Sequence, residues 1–324
     1  MAETMMPETM KAATWPPAGG AMQIIDAPVP QPKSGEVLVQ VKVAAINEMD
    51  VQTRDGGWKR EVKTFRKAGP VVTGFEFAGI AATSNGHIKA GMRVVAYSPV
   101  LKGPRAHAQF AVVPVQSLAE IPNDMSLADA TALCVMGLTA IEVVDDIAKI
   151  RPGQKVCVLG AAGGLGAYTV QLAKARGAHV TAIASATNEA FVMAQGADVF
   201  RARSNPPVLH RDDRFNLILD VPAKYSFAGS LRHLAPGGVF VSSNPLSDLA
   251  GFPRALVSRR KAGWLLMLST TPQKLKRLFE TVAAGALTPV IDATYGLTQI
   301  DTAFDRFATP GKQGRVLIDM EAGS

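Results

Sequence analysis

The sequence predicts an α/β protein in which a mostly β domain precedes a doubly wound parallel sheet. Three observations predict it. Short apolar strands separated by glycine, proline or asparagine run from about 22 to 120, and strands then alternate with helical segments from Asp124 onward. Within that second stretch, the apolar strand Val156–Leu159 passes through a glycine-rich turn directly into a helix-periodic segment.

Taken in order, residues 1–9 read as a frayed tail, and Glu36–Ala44 alternates polar and apolar at period two, as a half-buried strand does. Val71–Thr73, Ile80–Thr83, Arg93–Tyr97 and Phe110–Val113 follow as further short strands of a barrel-like domain. Ser126 to Ile150, rich in alanine and leucine, reads as helix, with Ser126 as N-cap and Asp129 three residues on. Val156–Leu159, Val180–Ala184, Asp198–Phe200, Leu217–Asp220 and Val239–Ser242 read as parallel strands. Ala167–Arg176, Asn188–Gln195 and Ser226–Leu234 read as the crossover helices. Trp264–Leu268 is a candidate edge strand whose apolar run needs covering, and a second subunit would cover it. Pro272–Ala284 reads as helix and the remainder as short strands ending at Arg315–Met320.

The turn after Leu159 reads Gly160-Ala161-Ala162-Gly163-Gly164-Leu165-Gly166. Gly163 and Gly166 fall on the second and third glycines of G-x-G-x-x-G, with Ala161 at the first. Gly163 lets backbone approach a pyrophosphate, and Gly166 lets the helix pack closely on the sheet. The helix N-terminus directs unpaired amides and partial positive charge over the turn, so a dinucleotide is the expected ligand. The competing reading is a turn that serves compact packing alone. Val156–Ala173 carries no charge and is long enough on paper for a membrane span. Its four glycines, Gln171 and the flanking Lys155 and Lys174 argue against one.

Hydrophobic content of 48% and charged content of 19% exclude a disordered chain, and 324 residues suffice for two domains. The net charge of +7 is dispersed; its densest patch is Arg259-Arg260-Lys261, and no nucleic-acid motif accompanies it. Two cysteines, Cys134 and Cys157, lie in apolar segments and cannot build a disulfide framework or a cysteine zinc site. The N-terminus lacks a secretory pattern, so a cytoplasmic protein is expected.

Several short segments in this order resemble the medium-chain dehydrogenase/reductase superfamily, in particular its zinc-free quinone oxidoreductase branch, which includes zeta-crystallin. They are Ala45–Asp50, Gly74–Gly79, Gly91–Val95, Gly137–Ala140, Ala161–Gly166 and Ala235–Phe240. The resemblance covers nearly the whole chain, from Gly35 to Ile318. It implies a GroES-like domain split into 1–122 and 270–324 around a Rossmann domain at 123–269. It also implies an NADPH cofactor, a cleft between the domains, and a homodimer. Zinc-dependent relatives carry cysteine where this chain has Asn47 and histidine where it has Phe75, so no metal is expected. Glu76 and Asp50 remain from the family pattern and are expected to be structural. Ala106–Phe110 stands where relatives usually carry alanine-glutamate-tyrosine, so substrate preference does not carry over.

An NAD site places an acidic residue at the end of the second strand, where this chain has Ser185 and no carboxylate before Glu189. A small hydroxyl leaves room for a 2′-phosphate. Arg203 stands about where relatives place a tyrosine near that phosphate, and its fork suits a phosphate; a solvated loop charge is the alternative. NADPH is therefore favoured over NADH.

Without a Lewis acid, a quinone or α,β-unsaturated carbonyl is a better hydride acceptor than a simple ketone, because the charge delocalises. Asn47 is the first candidate donor to the developing oxyanion, against a plain turn residue, and Tyr97 the second, against a core tyrosine. By resemblance Thr139 contacts the nicotinamide side; a hydroxyl bonding its own helix is the alternative. Ser242, Ser243 and Asn244 follow the fifth strand, where ligands of open α/β sheets bind. Arg315 reads equally as a residue approaching the cofactor phosphates and as a strand-end charge. None of the four tyrosines has a lysine four residues on, which sets aside the short-chain dehydrogenases. An enoyl reductase for thioester-bound chains and a non-catalytic NADPH sensor remain open. The loops at 52–70 and 98–108 are expected to shape the cleft; Arg54, Lys59, Arg60, Lys63, Arg66 and Lys67 hint at a polar or anion-binding rim, with solvated side chains the simpler alternative.

Overall fold

The computed structural model describes residues 6–15, 20–54, 71–204, 208–244, 248, 251–265 and 269–322. Its first half contains β1 (Thr9–Trp15), β2 (Gln23–Pro28), β3 (Glu36–Ala45), α1 (Glu48–Arg54) and β4 (Val71–Val72). β5 (Glu76–Ala81), β6 (Arg93–Tyr97), β7 (Phe110–Pro114) and β8 (Leu118–Glu120) complete the antiparallel part. Then come α2 (Leu127–Ile141), β9 (Lys155–Leu159), α3 (Gly164–Ala175), β10 (His179–Ala184), α4 (Glu189–Ala194) and β11 (Val199–Ala202). They are followed by β12 (Phe215–Asp220), α5 (Phe227–Ser230), β13 (Leu234–Ser242), α6 (Gly251–Val257) and β14 (Lys261–Trp264). The chain ends with α7 (Pro272–Ala283), β15 (Ile291–Gly296), α8 (Ile300–Ala308) and β16 (Arg315–Asp319).

The parallel sheet has the order β11-β10-β9-β12-β13-β14. The strand order reverses between β9 and β12, and a ligand crevice opens at such a switch point outside the carboxyl ends of the strands. The other large sheet has the order β15-β16-β3-β5-β6-β8, with β7 also pairing β3. β16 pairs β3 antiparallel, so the last strands close the sheet that the first strands began. A GroES-like β domain and a parallel Rossmann-like sheet are thus both present. α2 lies between them and packs on β3, β5, β6 and α3.

Local signals explain most boundaries. Ser126 Oγ accepts the Asp129 N–H at 3.0 Å and donates to its carboxylate at 2.7 Å, which caps α2. Thr271 caps α7 by accepting the Lys274 N–H, and Pro272 occupies the first turn. The uncharged window 156–173 is divided between β9 and α3, two buried elements of one core. Among the described residues one helix, Leu127–Ile147, is long and apolar enough to cross a membrane by length and composition, and 72% of its most apolar window is buried inside the fold.

Three expectations need correction. The edge strand is Lys261–Trp264, not Trp264–Leu268; residues 266–268 lie outside the described residues. Parallel pairing with β13 selects it, and Gly263 lets it approach Ile147 so closely that an added Cβ would meet that side chain at 2.8 Å. The segment after 284 also contains a helix, α8, whose Ile300, Ala303 and Phe304 are buried. Its i, i+3, i+4 apolar spacing was available in the sequence. Finally, the helix from Ser126 ends in a π-helical turn at Glu142–Ile147.

Candidate active site

The glycine turn is shaped by contacts that exclude side chains. A Cβ on Gly166 would lie 2.2 Å from the Gly160 carbonyl oxygen, so only glycine lets α3 start this close to β9. The helix begins at Gly164 with Gly163 as N-cap and no side-chain capping bond. The N–H groups of its first turn therefore remain for an anion. Ala161 and Leu165 are buried beneath the turn. The C-terminal strand braces it: the Gly314 N–H donates to the Ala162 carbonyl at 2.8 Å.

Beside the turn lies a cavity of about 490 Å³ at the carboxyl ends of β9 and β10. Gly163, Ser185 and Arg203 line it, together with Lys224 and Lys312. Arg203 is set against the end of β10 by its N–H, which donates to the Ala184 carbonyl at 2.8 Å. Among the described residues, no acidic one lines the cavity. The residues present fit an adenosine bearing phosphate groups: a bare helix N-terminus, a small hydroxyl and three cations.

A second group of polar residues lies under the β-domain side of the cleft. Glu76 is fully buried and accepts from the Asn47 amide at 3.0 Å and the Val135 N–H at 2.6 Å. The Arg315 guanidinium forms a buried ion pair with the same carboxylate and donates to Asn47 Oδ1 at 3.0 Å. Burial raises the Glu76 carboxyl above its ordinary range, against the opposing pull of Arg315. Asp50 accepts the Asn47 N–H at 2.8 Å, and burial pushes its carboxyl up to about 7.

This arrangement decides where the expected residues stand. Asn47 is 2% exposed, and both ends of its amide are engaged, the nitrogen by Glu76 and the oxygen by Arg315. Tyr97 is the last residue of β6, packed on Phe75 with ring centroids 6.0 Å apart. Burial, then the nearby Asp50 and Glu76 carboxyls, push its phenol up, which keeps it protonated. Arg315 departs from the expected approach to the phosphates. Its guanidinium ends face Glu76 and Asn47, because its aliphatic stem passes Gly164, where a Cβ would lie 2.6 Å from Cδ. Its Nε has no partner among the described residues.

Thr139 donates its hydroxyl to the Val135 carbonyl of its own helix at 2.8 Å, the alternative raised for it. Ser242 donates to the Asn244 carbonyl at 3.2 Å within its own turn, and Ser243 donates to the Val221 carbonyl at 2.7 Å, which ties the ends of β12 and β13 together. Arg54 lies over the Phe304 ring, and the rim residues Lys59, Arg60, Lys63, Arg66 and Lys67 lie outside the described residues. Sequence reasoning missed Lys312, which follows a Pro-Gly pair and carries no motif of its own.

A zinc ion does not fit the position that relatives use. Phe75 offers no ligand, Asn47 is committed to its neighbours, and Arg315 already places a positive charge on Glu76. Among the described residues no three His, Cys, Asp or Glu side chains form a ligand group.

With that geometry in place, the fold and the coenzyme-type crevice define an oxidoreductase of two-domain construction. Residues 33–123 match the family described as the alcohol dehydrogenase GroES-like domain, and residues 195–318 match the family described as zinc-binding dehydrogenase. The chain belongs to the medium-chain dehydrogenase/reductase superfamily. It is 27% identical over 319 residues to a chloroplast envelope quinone oxidoreductase homolog of Arabidopsis thaliana, covering 93% of this chain and 95% of the relative. It is 26% identical to an acryloyl-coenzyme A reductase of Metallosphaera sedula, covering 89% of this chain and 93% of the relative. The solved structure of the quinone oxidoreductase from Coxiella burnetii shares the fold at a TM-score of 0.86, 23% identity and coverage of 97% and 100% of the two chains.

Proposed function

We propose that this oxidoreductase uses NADPH, without a metal, to deliver hydride to a quinone or α,β-unsaturated carbonyl. The observation that carries the coenzyme preference is the cavity wall, where Ser185 replaces a carboxylate and Arg203, Lys224 and Lys312 supply cations. The nicotinamide coenzyme, when bound, supplies the hydride. The chain's own part is to hold and orient. The α3 N-terminus receives the diphosphate, and Ser242, Ser243 and Asn244 shape the carboxyl end of β13. The Asn47 amide serves as oxyanion donor, fixed by Glu76 and Arg315. Tyr97, a neutral phenol behind it, is a weaker candidate for the proton source.

The likeness to an acryloyl-coenzyme A reductase favours including enoyl thioesters among the acceptors, since the hydride step is the same. The test is multiple-turnover loss of NADPH with a panel of quinones, enones and enoyl thioesters, repeated with NADH. Turnover of quinones or enones with a clear preference for NADPH is expected. Turnover of thioesters alone selects the enoyl reductase, and tight NADPH binding with no turnover selects a sensor. In this reading the protein works as a cytoplasmic homodimer.

A further inference from the structure

The loop between α8 and β16 is fastened on three sides. The Gln313 side chain donates to Asn188 Oδ1 at 3.2 Å, the Gln313 N–H donates to Asp292 at 2.7 Å, and Gly314 donates to the glycine turn. Gly314 has φ +91°, and a Cβ there would strike the Val290 carbonyl at 2.4 Å, so the loop enters β16 in one conformation. Asn188 sits just beyond β10, so these bonds bring residues 309–312 to the cavity that Ser185 and Arg203 line from the strand ends. Lys312 is the cation this segment contributes, with Nζ 4.0 Å from the centroid of Phe307 on α8. Asp292 on β15, an acid whose charge acts on Lys312, is taken by a two-pronged ion pair with Arg306 and by the Gln313 N–H.

We propose that Lys312, delivered across the cavity by the C-terminal loop, forms with Ser185 and Arg203 the seat of a ribose 2′-phosphate, and so determines coenzyme specificity. The proposal rests on the NADPH reading above. The seat takes a phosphate monoester with close to two negative charges, which a single exposed arginine holds weakly and two converging cations hold well. Burial, and then Arg315, lower the Lys312 ammonium to about 8, so it still carries its charge near neutral pH, and a bound dianion would favour that charged form further.

Titration calorimetry of the full chain with 2′,5′-ADP and with 5′-AMP, which lacks only the 2′-phosphate, tests this without turnover. Wild type is expected to bind 2′,5′-ADP about tenfold or more tightly than 5′-AMP, as a charge-assisted bond would give. Lys312→Gln should lose most of that ratio while its 5′-AMP affinity stays within about twofold, and Lys312→Arg should restore it. An unchanged ratio in Lys312→Gln, or equal weakening of both nucleotides, overturns the proposal. Equal binding of the two nucleotides by wild type overturns it together with the preference for NADPH, whereas a ratio that survives in Lys312→Gln overturns the proposal alone. Binding of neither removes the coenzyme reading and the proposal together.

Discussion

Arg315 and Glu76 form a buried ion pair that joins the last strand of the chain to β5, with Asn47 bridging both partners. The same carboxylate accepts the Val135 N–H of α2, so one side chain ties the β domain, the C-terminal return and the nucleotide-binding half together. Removing one partner strands the other charge, and each of Glu76→Gln and Arg315→Met should cost about 3–5 kcal/mol in urea unfolding. The double variant should lose clearly less than the sum, and strict additivity would contradict the pairing.

Asp50 titrates in the opposite sense from a surface carboxylate. Its folded value of about 7 lies above the ordinary 3.8, so its contribution to stability is full at low pH and is lost as pH rises through 7. Asp50→Asn should gain on wild type between pH 4 and 8, by roughly 4 kcal/mol at most. Parallel stability curves for the two proteins would show that the carboxyl is already ionised when buried.

His107 behaves the other way. It is fully buried, bonded to Thr73 at 2.9 Å and near the Ala45 carbonyl, and burial lowers it from 6.5 to about 4. Its neutral form is favoured in the fold, so the stability it confers is present above pH 6.5 and lost as pH falls towards 4. That loss should reach roughly 3 kcal/mol, and His107→Gln should lack this slope in pH-dependent unfolding.

Gly166→Ala places a methyl group against the Gly160 carbonyl. A cost of about 1–3 kcal/mol in stability is expected from the forced shift, with loss of adenine-nucleotide binding by calorimetry. Normal nucleotide affinity in a folded Gly166→Ala protein would dissociate the turn from the ligand.

Exhaustive chelation should leave turnover of NADPH with a quinone unchanged, and elemental analysis should return substoichiometric zinc. Activity that falls with chelator and returns with zinc would refute the metal-free reading.

The strands of the parallel sheet were legible because each is a short apolar run between breakers, and the Ser126 cap because serine precedes an aspartate by three residues. The edge strand Lys261–Trp264 was not, since Lys-Ala-Gly-Trp has little strand propensity and owes its form to β13. Ser185 could be singled out from its distance along the chain from the glycine turn. Lys312 could not, because it meets Ser185 only after the chain has left the nucleotide domain and returned.

By itself the sequence determined the α/β alternation and the glycine turn, because these depend on local periodicity and residue type. Only the tertiary structure decided that Arg315 turns to Glu76, that Asn47 spends most of its amide inside the cluster, and that Lys312 reaches the cavity. Arg315 lies more than 200 residues along the chain from both Glu76 and Asn47, and burial, which makes each unpaired charge costly, selects the pairing.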